Sequence, residues 1–208
     1  STAGAITQSG GSVAVTTGTT NLTAATDITL SQSSNDFAST VNATGRDIDI
    51  EDANALTLGA VDASGSVAVL STGHLALGGN VQGTLITAAS SAGALTAGTL
   101  TATAGAIDLD AAGAVRLNNN VTAANGLTVD TTSGGITQVG GSIAVAAGLT
   151  SLAATTDITL ETTTNRFAGA VNANGANINL AAAGNLSIGA MSASGDAALS
   201  ATNTLNLN

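Results

Sequence analysis

The chain has 208 residues, a formal net charge of -10, no lysine, no cysteine, a single histidine (His74) and three arginines, Arg46, Arg116 and Arg166. So few cations argue against binding DNA, RNA or anionic lipid, because phosphate contacts are made by Lys and Arg. Without cysteine there are no disulfides, thiolate metal sites or thiol nucleophiles, and a Ser-His-Asp triad has only His74 to be built on.

A charged fraction of 8% with 44% hydrophobic residues is not the composition of a disordered chain. No apolar stretch approaches the roughly 18 residues of a membrane-spanning helix, so membrane insertion is not expected. No signal peptide is visible. Ser1 and Asn208 both fall mid-pattern, which reads as a segment of something longer.

In chain order, apolar-x-apolar triplets occur at Val13-Ala14-Val15, Ile28-Thr29-Leu30, Ile48-Asp49-Ile50, Val67-Ala68-Val69, Ile107-Asp108-Leu109, Leu127-Thr128-Val129 and Ile143-Ala144-Val145. Ile158-Thr159-Leu160 and Ile178-Asn179-Leu180 follow, and one further triplet belongs near Ile86, in uncertain register. This alternation is the period-2 mark of strands with one buried face. Successive triplets are about 19 to 21 residues apart, with shorter steps of about 15 near Ile6 and Ile136. Each step also holds a middle pair such as Leu56 and Leu58, and a single anchor before a Gly-terminated turn, as in "VNATG" from Val41. Gly and Asn tolerate the backbone of sharp corners.

Three short strands and three corners per step predict an all-β fold: a triangular β-solenoid, a right-handed parallel β-helix of about 19 to 21 residues per coil. About eleven coils are expected, giving a rod on the order of 50 Å long. Each coil would be the next one's hydrogen-bond partner, since a single coil cannot bury its own apolar face.

A longer repeat of about 130 residues overlies this pattern. "ITQSGGSVAV" from Ile6 returns as "ITQVGGSIAV" from Ile136, and "NDFASTVNATG" from Asn35 returns as "NRFAGAVNANG" from Asn165. The chain therefore reads as one solenoid over 1–208, with a first copy at 1–130 and a partial second copy at 131–208. Seven coil steps are expected per long period. Phe37 and Phe167 occupy equivalent places and read as fillers of a wide coil.

No catalytic, cofactor-binding or metal-ligating residue is assigned. The densest charge cluster is "RDIDIED" from Arg46 to Asp52, where Asp47, Asp49 and Glu51 face outward with Asp27 beside Asp47. Oxygen ligands of this kind suit calcium, yet the second copy carries Asn177, Asn179 and Ala181 there, which favours a solvated face. Asp108 and Asp110 are expected to form an outward pair next to Arg116, which raises glycoside cleavage, but the turns are short and Tyr and Trp are missing. His74 reads as an exposed turn residue, with Thr204 as its counterpart. Thr29, Thr87, Thr128 and Thr159 are expected to form an outward column of the kind seen on ice-binding solenoids, broken by Asp49, Ala68, Asp108, Ala144 and Asn179. The sequons at Asn21, Asn42 and Asn185 carry little weight in an Asn- and Thr-rich chain.

The segments "GGITQVGGSIAV", "TDITL", "NRFAGAV" and "LTLGAVDASGSVAV" resemble the repeat region of filamentous-haemagglutinin-type bacterial exoproteins, the large adhesins exported by two-partner secretion. The resemblance covers essentially the whole chain. It implies an extracellular or bacterial cell-surface location and a non-enzymatic stalk or adhesive fibre. Its implied partners are other segments of the same large protein and a host or neighbouring-cell surface. The alternative is a subunit that self-assembles end-to-end or laterally into a filament or sheath.

Overall fold

The computed structural model describes Ser1 and residues 3–208. Among them are 26 strands and no helix, and every strand pairing is parallel. The pairings place the chain on three faces of a stacked coil. On face 1 the inward residues run Ile6, Ile28, Ile48, Val67, Ile86, Ile107, Leu127, Thr150 and Val171, one per coil, with Met191 then above Ala173. Face 2 starts with Val15 beside Phe37 and continues through Leu56, Leu75, Leu95, Val115, Ile136, Ile158, Ile178 and Ala197. Face 3 runs Leu22, Ala43, Val61, Val81, Leu100, Val121 and Ile143, then Val145 beside Phe167, and ends with Leu186 beside Leu205. Strands Leu56–Ala63, Leu75–Gly83, Leu95–Ala102 and Leu186–Ala193 run unbroken round a corner, with a register shift there.

This is the triangular parallel β-helix expected from the period-2 triplets, with ten coils rather than about eleven. At about 4.8 Å per coil the rod is on the order of 45 Å long. The triplet near Ile86 resolves as Ile86 and Ala88 inward, level with Val67 and Val69. The inward residues form a single hydrophobic cluster from Ala24 to Ile188. Leu56, Leu75, Leu95, Ile107 and Val115 have no exposed surface, and each aliphatic side chain so buried contributes about 1.5–3 kcal/mol.

The long repeat differs from expectation in an informative way. Ile6 lies on face 1 of the first coil, and its counterpart Ile136 lies on face 2 of the seventh. Ile28 and Ile158 are displaced in the same sense, as are Phe37 on face 2 and Phe167 on face 3. The long period is thus six and one-third coils, not seven. The short steps of about 15 residues are moves of two-thirds of a coil: Leu127 is followed on its own ladder by Thr150, while Ile143 stacks on Val121. The offset is tolerated because all three faces make the same demand, an apolar residue at every second position between small corners. Equivalent residues of the two copies therefore point about one-third of a turn apart around the rod.

Glycines stack closely at several corners; at one of them Gly73, Gly93, Gly113 and Gly134 succeed one another. A Cβ on Gly93 would sit 2.6 Å from the Gly73 carbonyl carbon and the His74 nitrogen. Gly93→Ala should therefore cost about 1–3 kcal/mol by overpacking, read as a lower urea midpoint.

Candidate functional sites

The distinctive "ITQ…NDF" order is a structural clip. Asn35 is fully buried. Its amide oxygen accepts from the Val13 N–H at 2.9 Å and from Gln8 Nε2 at 2.8 Å. Its Nδ2 donates to Gln8 Oε1 at 2.9 Å and to the Leu30 carbonyl at 2.9 Å. The second copy repeats the arrangement: Asn165 accepts from Ile143 N–H at 2.8 Å and Gln138 Nε2 at 2.9 Å, and donates to Gln138 Oε1 at 2.8 Å. Each Gln also donates to a carbonyl of its own loop, Gly11 or Gly141, at 3.1 Å. Both glycines have positive φ, +72° and +67°, which only glycine adopts cheaply. A planar amide facing another planar amide satisfies four hydrogen-bonding positions at once, so a wide loop is held without extra apolar residues.

A second polar column runs up the corner between faces 1 and 2: Asp52, Ser71, Ser90 and Thr131, with Ala111 between, all buried. Ser71, Ser90 and Thr131 donate to Gly73 or Gly134 carbonyls at 2.6–2.8 Å. The Asp52 carboxylate accepts from the Phe37 N–H and the Asn54 N–H, both at 2.7 Å. These bonds serve corner backbone groups, and the Gly134 carbonyl also accepts from the Thr155 and Thr156 N–H groups. No buried side-chain nitrogen or oxygen among the described residues lacks a partner.

The charged candidates are arranged differently from their order in sequence. Arg46 binds Asp27 through both carboxylate oxygens at 2.8 and 2.7 Å and reaches Asp47 at 3.2 Å. Asp47 in turn accepts from the Ser66 N–H at 2.8 Å and hydroxyl at 2.9 Å. Asp49 and Glu51 are half-buried on face 1. Asp52 turns inward, away from this cluster. Asp110 stacks beside Asp130 of the next coil, while Arg116 lies on face 2 between Thr96 and Thr137, so the acidic pair does not share a site with it. Among the described residues, no group of three or more His, Asp or Glu converges as a metal site. His74 is exposed, 3.4 Å from Thr96 Oγ1. Thr29, Thr87 and Thr128 share face 1, but Thr159 lies on face 2 above Thr137, so the expected column does not form. Of its expected interruptions, Ala144 lies on face 3 and Asn179 on face 2. Asn42 of the second sequon donates to Asn21 of the first at 2.9 Å and accepts from the Ala60 N–H.

Burial, with repulsion from Asp110 and Asp130, pushes the Asp108 carboxyl above its ordinary value. Burial and Asp110 raise Asp130, and burial raises Asp49. Asp47 is held low, chiefly by the Ser66 N–H and hydroxyl. A carboxyl raised in the folded state binds its proton more tightly there, so stability rises as pH falls from neutrality through the raised values. The contribution of Asp47 is lost as the pH falls through the ordinary carboxylate range and below it. The urea midpoint should therefore rise as the pH is lowered from neutrality through the raised carboxyls' range, before falling at lower pH. Asp108→Asn together with Asp130→Asn should raise it at pH 7 and flatten that rise.

An open groove of about 560 Å³ lies on face 3 and its corner, lined by Val145, Arg166, Phe167, Gly184, Asn185 and Asn203, among others.

A family model described as repeats of unknown function (DUF5649) matches residues 1–44 and 119–174, a little under half of the chain. Residues 1–44 are the long-repeat counterparts of 131–174, so the matched stretch holds the Gln–Asn clip and its Phe in both copies. No curated protein and no solved structure matches the chain. The clip was not anticipated from sequence, although Gln and Asn recurring 27 residues apart in both copies was a usable signal.

Proposed function

We propose that this chain is a stalk or fibre segment of a large bacterial surface or secreted adhesin. The observation that carries the reading is the architecture: ten stacked coils share a continuous core, and nearly all polar specialisation is spent on holding corners and loops. A rod of this kind supplies reach and stiffness, with neighbouring segments of the same protein as its first partners and a host or neighbouring cell beyond them. The likeness to filamentous-haemagglutinin-type repeats supports a surface location and adhesion through weak contacts spread over the faces.

The second reading is self-assembly into a filament or sheath. Its support is the ladder itself: coil pairs with coil through parallel strands on all three faces, and a strand edge of this kind can also pair between copies.

Negative-stain electron microscopy of residues 1–208 at low concentration separates these readings. Single rods on the order of 45 Å long support the stalk. Filaments or sheets would make assembly the function, and compact globules would contradict both readings.

A further inference from the structure

The two copies differ where the groove lies. In the first copy, Asp52 is an internal carboxylate that takes the Phe37 N–H and the Asn54 N–H at 2.7 Å each. The residue before the phenylalanine is Asp36. In the second copy Asp52 is replaced by Ala182, Asn54 by Gly184, Ala55 by Asn185, Gly73 by Asn203, and Asp36 by Arg166. Three consequences follow. Ala182 offers the Phe167 N–H no acceptor. The corner takes a different path at Gly184, whose φ is +94° where Asn54 has none of the left-handed character, and whose N–H donates to Thr202 Oγ1 at 2.6 Å. The position that carried a negative charge now carries a guanidinium, and Arg166 makes no ion pair among the described residues.

We propose that this groove binds the carboxylate of an acidic saccharide, which accepts from the Phe167 N–H as Asp52 does for Phe37 and pairs with Arg166. A carboxylate answers both changes at once: it restores the lost acceptor and neutralises the added cation. Arg166 presents a planar fork that fits a carboxylate. The Asn185 and Asn203 amides, with the Thr122 hydroxyl, supply hydrogen bonds for sugar hydroxyls along the groove. The volume suits a ligand of one to a few sugar units. The first copy carries its own carboxylate, so it serves as a built-in comparison in which the same position is occupied from within.

The test is calorimetric titration of trigalacturonate into the 208-residue chain, with maltotriose as the neutral control and an aspartate-rich peptide as the other source of carboxylate. Binding of trigalacturonate alone is expected, weaker at high salt. Arg166→Gln should reduce the affinity at least tenfold. Ala182→Asp, which installs the carboxylate of the first copy, should do the same with an unchanged circular dichroism spectrum. Arg116→Gln, on face 2, should have no effect. The proposal is overturned by absent binding, by equal binding of maltotriose, by equal affinity in all variants, or by tighter binding of the peptide.

Discussion

Asn165→Ala is expected to lower the free energy of unfolding by about 3 kcal/mol or more. The substitution strands the buried Ile143 N–H and the Gln138 amide oxygen, removes a donor from the Leu160 carbonyl, and leaves Gln138 Nε2 only its bond to Gly141, and each orphaned buried group costs about 1–3 kcal/mol. The loss should be local. Coils of a solenoid touch only their neighbours, so hydrogen exchange should speed up around Gln138–Phe167 while Val67–Ala102 keep their protection. Gln138→Ala should cost less, because Gln138 is half-buried and water reaches part of what it leaves. The two substitutions together should fall short of the sum of the single effects, by on the order of 1 kcal/mol, as expected for partners in one network. Strict additivity would show that the amide pair is a coincidence of geometry and not a clip.

Phe37→Ala should cost about 3–5 kcal/mol. Phe37 is 1% exposed and sits in the coil that the Asn35 clip widens. A small residue there leaves a cavity that Val15 and Leu56 cannot close, because the ladder holds their backbones in place. Phe37→Leu should cost clearly less. The same pair of substitutions decides what the aromatic ring is for: a ligand platform would be exposed and tolerant of alanine in stability terms, whereas a filler would not be. Urea unfolding followed by circular dichroism gives the comparison directly.

The inward-facing residues were legible in the sequence because the physics behind them is simple. Ile48, Ile50, Leu56, Leu58 and Val61 alternate with small or polar neighbours, and alternation with buried faces has one reading. The assignment of segments to faces was not legible. Val13-Ala14-Val15 and Ile28-Thr29-Leu30 look alike because faces 1 and 2 make the same demand of their residues. Only hydrogen-bond partners tell them apart, and those lie about twenty residues away. The irregular steps of about 15 residues were the trace of the shift, read as short coils and not as a change of face. The clip escaped for a different reason: Gln8 and Asn35 are polar residues near glycines, which is also how an exposed corner looks. Asp52 was grouped with Asp47, Asp49 and Glu51 by proximity, but the period that turns Ile48 and Ile50 inward also turns Asp52 inward. Counting by two from Ile48 would have found it.

The three faces rest on the register of the ladders, and with no cysteine in the chain that register is directly measurable. Thr128 and Ser151 are neighbours on face 1, at a strand spacing of about 4.8 Å, inside the range a disulfide spans. Thr128 and Ala144 are equivalent in the triplet series but lie on different faces. Oxidation of the double variant Thr128→Cys, Ser151→Cys should give an intramolecular disulfide in nearly every molecule, and Thr128→Cys, Ala144→Cys should give none. The reverse outcome would contradict the one-third-turn offset and with it the assignment of the three faces.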